Sequence, residues 1–500
     1  MDKRKIAQLI IARLDGDEIS RGFRYYQSLV REGIGGFIIF GGDAREVRDG
    51  IRRLQKGAEY PLFIASDLEQ GLGQQIRGGT TFPPPMAIAS AIDRNSREDV
   101  SLLRDVIDAI AIEAKAVGIN LILAPVADVN TNPENPIICT RAFSDRPEVA
   151  GWFVKEYIKG LQRHGIMACV KHFPGHGDTS VDSHLAVPIV KTDRRRLHNV
   201  ELYPFRAAIE AGVGMVMVGH IVVPAIDETI SPFSKRVVTG LLKRRMGFKG
   251  LVITDAMNMK AVKDQGDDAY SMALKAGIDL ILHPESPERV MDVLYKDGKS
   301  LMPHIERAFN RVIMVKKRMR IEPVDIRHIG KKVHMDLSRS ITRKSIQIRA
   351  QPPSDIKKVL SRETTMLVID DDNLGSGSPL YHSIRRYIPG LRLIYVDNNH
   401  RDGLGSILRP ISRRPLIIAV FSRISGFKGR AWLSRRLLSL LNKAVKASGC
   451  SVVLGFCCPY ILRDIEADLV INGFSDTDVA QECSAELLYR IIRMANSGQG

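Results

Sequence analysis

Short apolar runs recur along the first two thirds of the chain, and each closes on or beside a polar residue. They are GGFIIFG (35–41), PLFIASD (61–67), NLILAPVADV (120–129), IMACVKHF (166–173), VGMVMVGH (213–220), GLVITDA (250–256) and DLILHP (279–284). Runs this short and this apolar suit strands buried on both faces of a parallel sheet. Between them the apolar positions fall at the spacing of one helix face, as in REDVSLLRDVIDAIAIEAKAVGI and EVAGWFVKEYIKGLQRHGI. The opening MDKRKIAQLIIARLDGDEIS reads as an amphipathic first helix. Its apolar stretch IAQLIIA is short, and no small-residue cleavage site follows, so it is not expected to be a signal peptide. Strand and helix alternating over about 320 residues predict an α/β fold with a parallel sheet. Seven or eight such units favour a closed (β/α)8 TIM-type barrel, and no G-x-G-x-x-G follows the first strand to support a dinucleotide fold.

The pattern breaks after NRVIMVKKRMRIEPVD. Residues 322–355 are polar and charged and carry a Pro-Pro pair at 352–353. A second alternation then starts, with TTMLVIDDD, LRLIYVDN, RPLIIAVFSR, CSVVLGFCCPY and ADLVINGFSD as its strand candidates. The expected organisation is a catalytic barrel over 1–325, a linker and connecting helix over 326–355, and a smaller three-layer α/β sandwich over 356–500. A chain of 500 residues exceeds what one hydrophobic core ordinarily organises, which agrees with two domains.

Composition narrows the partners. A hydrophobic fraction of 44% is ordinary for a globular chain, and no apolar stretch reaches the length of a membrane span. Lys and Arg number 73 against 56 Asp and Glu, a net charge of +17. That excess suits an anionic partner or a generally basic proteome. Basic residues crowd between Arg385 and Arg436, but prolines and apolar strands interrupt them and no aromatic-studded nucleic-acid motif accompanies them. Neither nucleic acid nor membrane is the expected partner, and the oligomeric state is open. The six cysteines form no C-x-x-C pair, so neither a disulfide framework nor a zinc knuckle is expected, and the cytoplasm is the default compartment.

The candidate chemistry lies where the strands end. Asp67, Asp128, Lys171, His172, His220 and Asp255 fall at or just past these ends, the rim on which a TIM barrel builds its active site. The richest segment is KHFPGHGDTSVDSH (171–184). His172 and His176 are four apart, but Pro174, Gly175 and Gly177 will not hold the helix that would align them as metal ligands. Lys171 precedes the glycines, and no helix clearly follows, which fits a phosphate loop poorly. Acid/base chemistry suits the segment best. Asp182 and His184 are two apart and share a side of an extended chain. A carboxylate beside an imidazole fixes its tautomer and makes a proton donor competent near neutral pH. Asp255, in GLVITDAMNM, is the matching carboxylate at another strand end, as in a retaining glycosidase. No cofactor and no metal are expected.

These residues resemble a known family. KHFPGHGDTSVDSH, GLVITDAMNM and NPIICTRAFSDRP are similar to the motifs of the bacterial β-N-acetylglucosaminidases of glycoside hydrolase family 3, in the two-domain form. The resemblance implies Asp255 as nucleophile, His184 as general acid/base supported by Asp182, and sugar contacts from Asp67, Arg141, Lys171 and His172. The family commonly reads D-Q-E-G-G-x-V-x-R after the second strand, where this chain reads DLEQGLGQQIR, two residues longer. Arg77 then stands at the place of the family's sugar-binding arginine. The expected activity is exo-acting release of terminal N-acetylglucosamine from cell-wall muropeptides or chitooligosaccharides, as in peptidoglycan turnover. A phosphorylase and a family 3 β-glucosidase are the alternatives.

Overall fold

The computed structural model describes residues 2–182, 185–319, 324–349, 356–400 and 403–496. The chain divides into two compact units, one of residues 1–82 with 101–335 and one of 83–100 with 336–500.

The first unit holds eight parallel strands. They are β1 (Ile10–Asp15), β2 (Gly36–Phe40), β3 (Phe63–Ser66), β4 (Leu121–Ile122), β5 (Met167–Phe173), β6 (Met215–Val218), β7 (Leu251–Thr254) and β8 (Ile281–Leu282). They pair in the order β7-β6-β5-β4-β3-β2-β1-β8. A parallel bridge from Ile253 to Leu280 then joins β7 to the chain entering β8, so the sheet returns on itself as the expected barrel. Every residue of β3, β6 and β7 is buried, which is why their sequences read as unbroken apolar runs.

The opening segment differs from its expectation. The helix spans only Lys3–Ala7, and the apolar residues after it form β1. Leu9, Ile10, Ile11, Ala12 and Leu14 are all buried, and β1 pairs with both β2 and β8. A short apolar run does not separate buried strand from helix by its period, and here the β-branched pair Ile10–Ile11 marked the strand. β4 is shorter than its run predicts, because Pro125 has no N–H to continue the ladder.

The helix Gly298–Lys316 ends on an unusual group. Lys316 is fully buried, donates from Nζ to Gln8 Oε1 (2.7 Å) and Gly35 O (2.6 Å), and lies 5.1 Å from the centre of the Phe63 ring. Among the described residues no carboxylate pairs with it, and burial holds its pKa down to about 7 from 10.5. Between these values the unfolded chain keeps the proton that the folded chain releases. The contribution of Lys316 to stability therefore rises with pH from about 7 toward 10.5 and is smallest at and below pH 7. Urea midpoints of the parent are expected to rise relative to those of Lys316→Met between pH 7 and pH 9. Parallel pH profiles for the two proteins would remove Lys316 as the titrating group.

The second unit carries a six-stranded sheet. Its strands are β9 (Gln347–Arg349), β10 (Thr365–Asp370), β11 (Arg392–Asp397), β12 (Pro415–Ser422), β13 (Cys450–Cys457) and β14 (Leu469–Asn472). Their order is β11-β10-β12-β13-β14-β9, all parallel except the edge pairing of β9 with β14. β10 and β13 are buried throughout, so both faces of the sheet are covered. Met366, Val368, Ile417, Phe421, Val452 and Phe456 belong to its core. β9 went unread in the sequence because its three residues are polar or exposed and carry no alternation. Among the described residues no helix is long and apolar enough to cross a membrane.

Candidate active site

The strand ends of the barrel bring two ionic networks together on β5. Lys171, fully inside the protein, sends Nζ to Asp67 Oδ1 (2.6 Å), just past β3, and to Glu69 Oε1 (2.8 Å). Glu69 in turn accepts both arms of Arg141, from Nε at 2.9 Å and from Nη2 at 2.7 Å. Arg141 also donates to Ile137 O, which ties its loop to the same network. Burial opposes the charge on Lys171, but Asp67 and Glu69 outweigh it and raise its pKa. Burial likewise opposes the charge on Glu69, and Arg141 and Lys171 hold its carboxyl well below the usual range. Of the expected sugar-binding residues, Asp67, Arg141 and Lys171 thus form one cluster with two cations and two carboxylates.

Glu69 was missed in the sequence, although it stands two residues after Asp67, the spacing that turns side chains the same way in extended chain. Glu69→Gln leaves the half-buried Arg141 facing a neutral acceptor and leaves Lys171 with Asp67 as its one carboxylate partner among the described residues, a change that costs roughly 3 kcal/mol. We expect KM to rise about tenfold or more, with a melting temperature lower by several degrees. Initial rates and thermal melts check both. An unchanged KM would reduce Glu69 to a scaffold residue.

The second network centres on Asp128, which is fully buried. Its Oδ2 accepts from His172 Nδ1 (2.7 Å), and its Oδ1 accepts the N–H of His176 (2.7 Å) and, longer, that of His172 (3.3 Å). Burial works against the Asp128 charge, but His172 and the His176 N–H outweigh it and keep the carboxyl ionised. An ionised carboxylate only accepts, so Nδ1 of His172 carries its proton toward Asp128 and Nε2 is the outward nitrogen.

His176 plays a different part from its neighbour. Its Nδ1 meets Thr179 Oγ1 at 2.7 Å, its carbonyl accepts from Asn135 Nδ2 at 2.8 Å, and burial holds its pKa down to about 4. It is neutral at working pH and braces the loop. Gly177 lets that loop close, since a Cβ there would stand 1.8 Å from the Val129 carbonyl oxygen. Among the described residues no group of three or more His, Cys, Asp or Glu side chains could hold a metal ion.

Asp255 follows β7 directly. Its N–H donates to Val218 O (3.0 Å), and its Oδ1 accepts the Ala256 N–H (2.7 Å). Burial raises its pKa, but His172, His220, the Ala256 N–H and Lys171 together outweigh it, and the carboxyl lies below its ordinary value. His220, from the loop after β6, is itself fully buried and donates from Nε2 to Ala256 O (3.1 Å). Lys171 and His172 thus act electrostatically on Asp255, so the two networks and the strand-end carboxylate share one neighbourhood.

The three remaining expected residues are Arg77, Asp182 and His184. Arg77 is exposed and pairs with Asp17 at 2.6 Å, in the loop after β1, outside the Asp67–Glu69–Lys171–Arg141 cluster. Asp182 is buried, and its carbonyl accepts from Leu185 and Ala186, whereas His184 lies outside the described residues.

Comparison with known proteins adds a second kind of finding. The family described as Glycosyl hydrolase family 3 N terminal domain matches residues 2–315. The chain is 35% identical over 279 residues to a protein named Beta-hexosaminidase A from Pseudoalteromonas piscicida, covering 51% of this chain and 46% of that one, so it spans less than half of that relative. It is 33% identical over 237 residues to a Beta-hexosaminidase from Nitrosomonas eutropha, covering 47% of this chain and 68% of the relative. Among solved structures it superposes with a TM-score of 0.84 on a glycoside hydrolase family 3 beta-N-acetylglucosaminidase from Paenibacillus, at 25% identity over 98% of this chain and 97% of that one.

Proposed function

The chain belongs to glycosyl hydrolase family 3, and from that premise we propose that it is a retaining exo-β-N-acetylglucosaminidase acting on muropeptides or chitooligosaccharides. One observation carries this reading. An ionised carboxylate, Asp255, follows a barrel strand within reach of the fields of Lys171, His172 and His220, beside a cluster of charged hydrogen-bonding groups suited to sugar hydroxyls. Asp67, Lys171 and Arg141 would grip hydroxyls, with His172 Nε2 as a further contact oriented by Asp128.

In the first step an Asp255 oxygen bonds to the anomeric carbon as the bond to the leaving oxygen breaks. His184 gives that oxygen its proton. In the second step water attacks the same carbon, gives a proton back to His184, and releases Asp255. Asp182, two residues away in the chain, supports His184 as its carboxylate partner. The hexosaminidase relatives support the aminosugar, and the resemblance of KHFPGHGDTSVDSH to the β-N-acetylglucosaminidase motif speaks against a β-glucosidase.

Incubation with aryl N-acetylglucosaminide, aryl glucoside, chitobiose and muropeptides, with products identified by mass, tests the substrate. The assay is run in phosphate and in a phosphate-free buffer of equal ionic strength. Free β-N-acetylglucosamine in both buffers is the expected product. Sugar 1-phosphate dominating at millimolar phosphate would make the enzyme a phosphorylase. Faster cleavage of the aryl glucoside would make it a β-glucosidase.

A further inference from the structure

From residue 403 to residue 462 the chain contains ten Lys or Arg and no Asp or Glu. Three of the ten find acids elsewhere in the second unit. Arg423 pairs with Asp476 (2.5 Å), Lys428 with Asp371 (3.0 Å) and Asp372 (2.6 Å), and Arg430 with Asp371 (3.0 Å). The other seven have no ion pair among the described residues.

Six of these seven gather in one place. Four lie on the helix Arg435–Ala447, and all four are exposed: Arg435, Arg436, Lys443 and Lys446. At helical spacing they share one arc of about 100°. The opposite side, with Leu437, Leu440, Leu441 and Ala444, is buried. Of the remaining three, Arg413 and Arg414 stand at the C-terminal end of the same helix, and Arg409 precedes them in the chain. The Arg413 N–H donates to Ala447 O (2.7 Å), and the Gly449 N–H donates to Arg414 O (2.9 Å).

Fold stability does not account for this placement. Arg435 and Arg436 occupy the first turn, where the positive end of the helix dipole disfavours cations, and no acid shares that turn. The helix itself carries no aromatic residue on which a nucleobase could stack, and the Asn442 amide is engaged by Leu438 O (3.1 Å). The helix spans about 20 Å, which suits a broad charged surface better than a point ligand. Clusters of about four to eight Lys and Arg on a helix face bind anionic lipid headgroups.

We propose that this face docks the chain peripherally on an anionic phospholipid surface. The sequence argued against a membrane only through the lack of a spanning segment, and peripheral docking requires none. Because the apolar side of the helix is already buried, attachment is electrostatic, without insertion, and salt reverses it. The inference is independent of the catalytic reading and gives the charge of +17 a use.

Co-sedimentation of the full chain with vesicles tests it, using phosphatidylcholine alone or mixed with phosphatidylglycerol, at low and high salt. Binding is expected only to the anionic vesicles, and only at low salt. The quadruple variant Arg435→Gln, Arg436→Gln, Lys443→Gln and Lys446→Gln should weaken it by at least about tenfold. A parental circular dichroism spectrum and melting curve certify that this variant is folded, and the corresponding glutamate variant should abolish binding altogether. Equal binding to both vesicle types would overturn the proposal, as would full retention by the glutamine variant. So would tighter binding to duplex DNA than to vesicles of matched charge.

Discussion

Asp255→Ala is expected to lower kcat by about three orders of magnitude or more while leaving the fold intact. The size of the loss follows from the position of this carboxylate. In the proposed mechanism it attacks carbon directly, from a position held by the hydrogen bonds of its N–H to Val218 and of one oxygen to Ala256. The pH dependence follows from the same surroundings. Because His172, His220, the Ala256 N–H and Lys171 hold its pKa below the ordinary value against the opposing effect of burial, the acid limb of kcat/KM attributable to Asp255 should fall below the ordinary carboxylate range. Asp255→Asn keeps the shape and removes the charge, so it should be nearly as impaired as alanine. Circular dichroism and melting curves of the variants confirm folding, and kcat measured with an aryl glycoside gives the effect. A loss below about tenfold would place the nucleophile elsewhere.

The second large effect concerns the proton donor. His184→Ala should slow substrates with poor leaving groups by about two to four orders of magnitude. It should affect a dinitrophenyl glycoside far less, because that leaving group departs without a proton. Asp182→Asn should show the same trend in milder form, since in the proposed mechanism it removes the charge that supports His184 and not the acid itself. Asp182 is buried, so its replacement also puts the local fold at risk, which the melting curve reports. A Brønsted plot of log kcat/KM against leaving-group pKa measures the contrast. A steep slope in the His184 variant beside a shallow one in the parent is the expected result. Equal losses across all leaving groups would restrict His184 to positioning the sugar.

The barrel was legible because its strands are buried on both faces, which makes them short and almost purely apolar. β2, β3, β5, β6 and β7 lie inside their predicted runs. β1 was hidden because its apolar residues continue those of the helix Lys3–Ala7 without a turn signal between them. Rim residues were readable from their place at strand ends. Their mutual wiring was not, because it depends on long-range geometry. Lys171 and Asp67 are 104 positions apart, and Asp128 and His172 are 44 apart. The loop glycines and His176 looked like chemistry in the sequence. In the fold Gly177 answers to a steric limit, and His176 is kept neutral by burial. Arg77 was assigned from a motif with two extra residues, and in the fold it pairs with Asp17.

A covalent nucleophile leaves a direct trace. Incubation with a 5-fluoro N-acetylglucosaminyl fluoride, which forms the glycosyl–enzyme readily and hydrolyses it slowly, followed by proteolysis and mass spectrometry, locates the labelled residue. If Asp255 is the nucleophile, one sugar is found per chain, on the peptide containing GLVITDAMNM and on that aspartate, and Asp255→Ala takes up none. An adduct on any other residue, or none while the reagent is turned over, would contradict a retaining mechanism through Asp255.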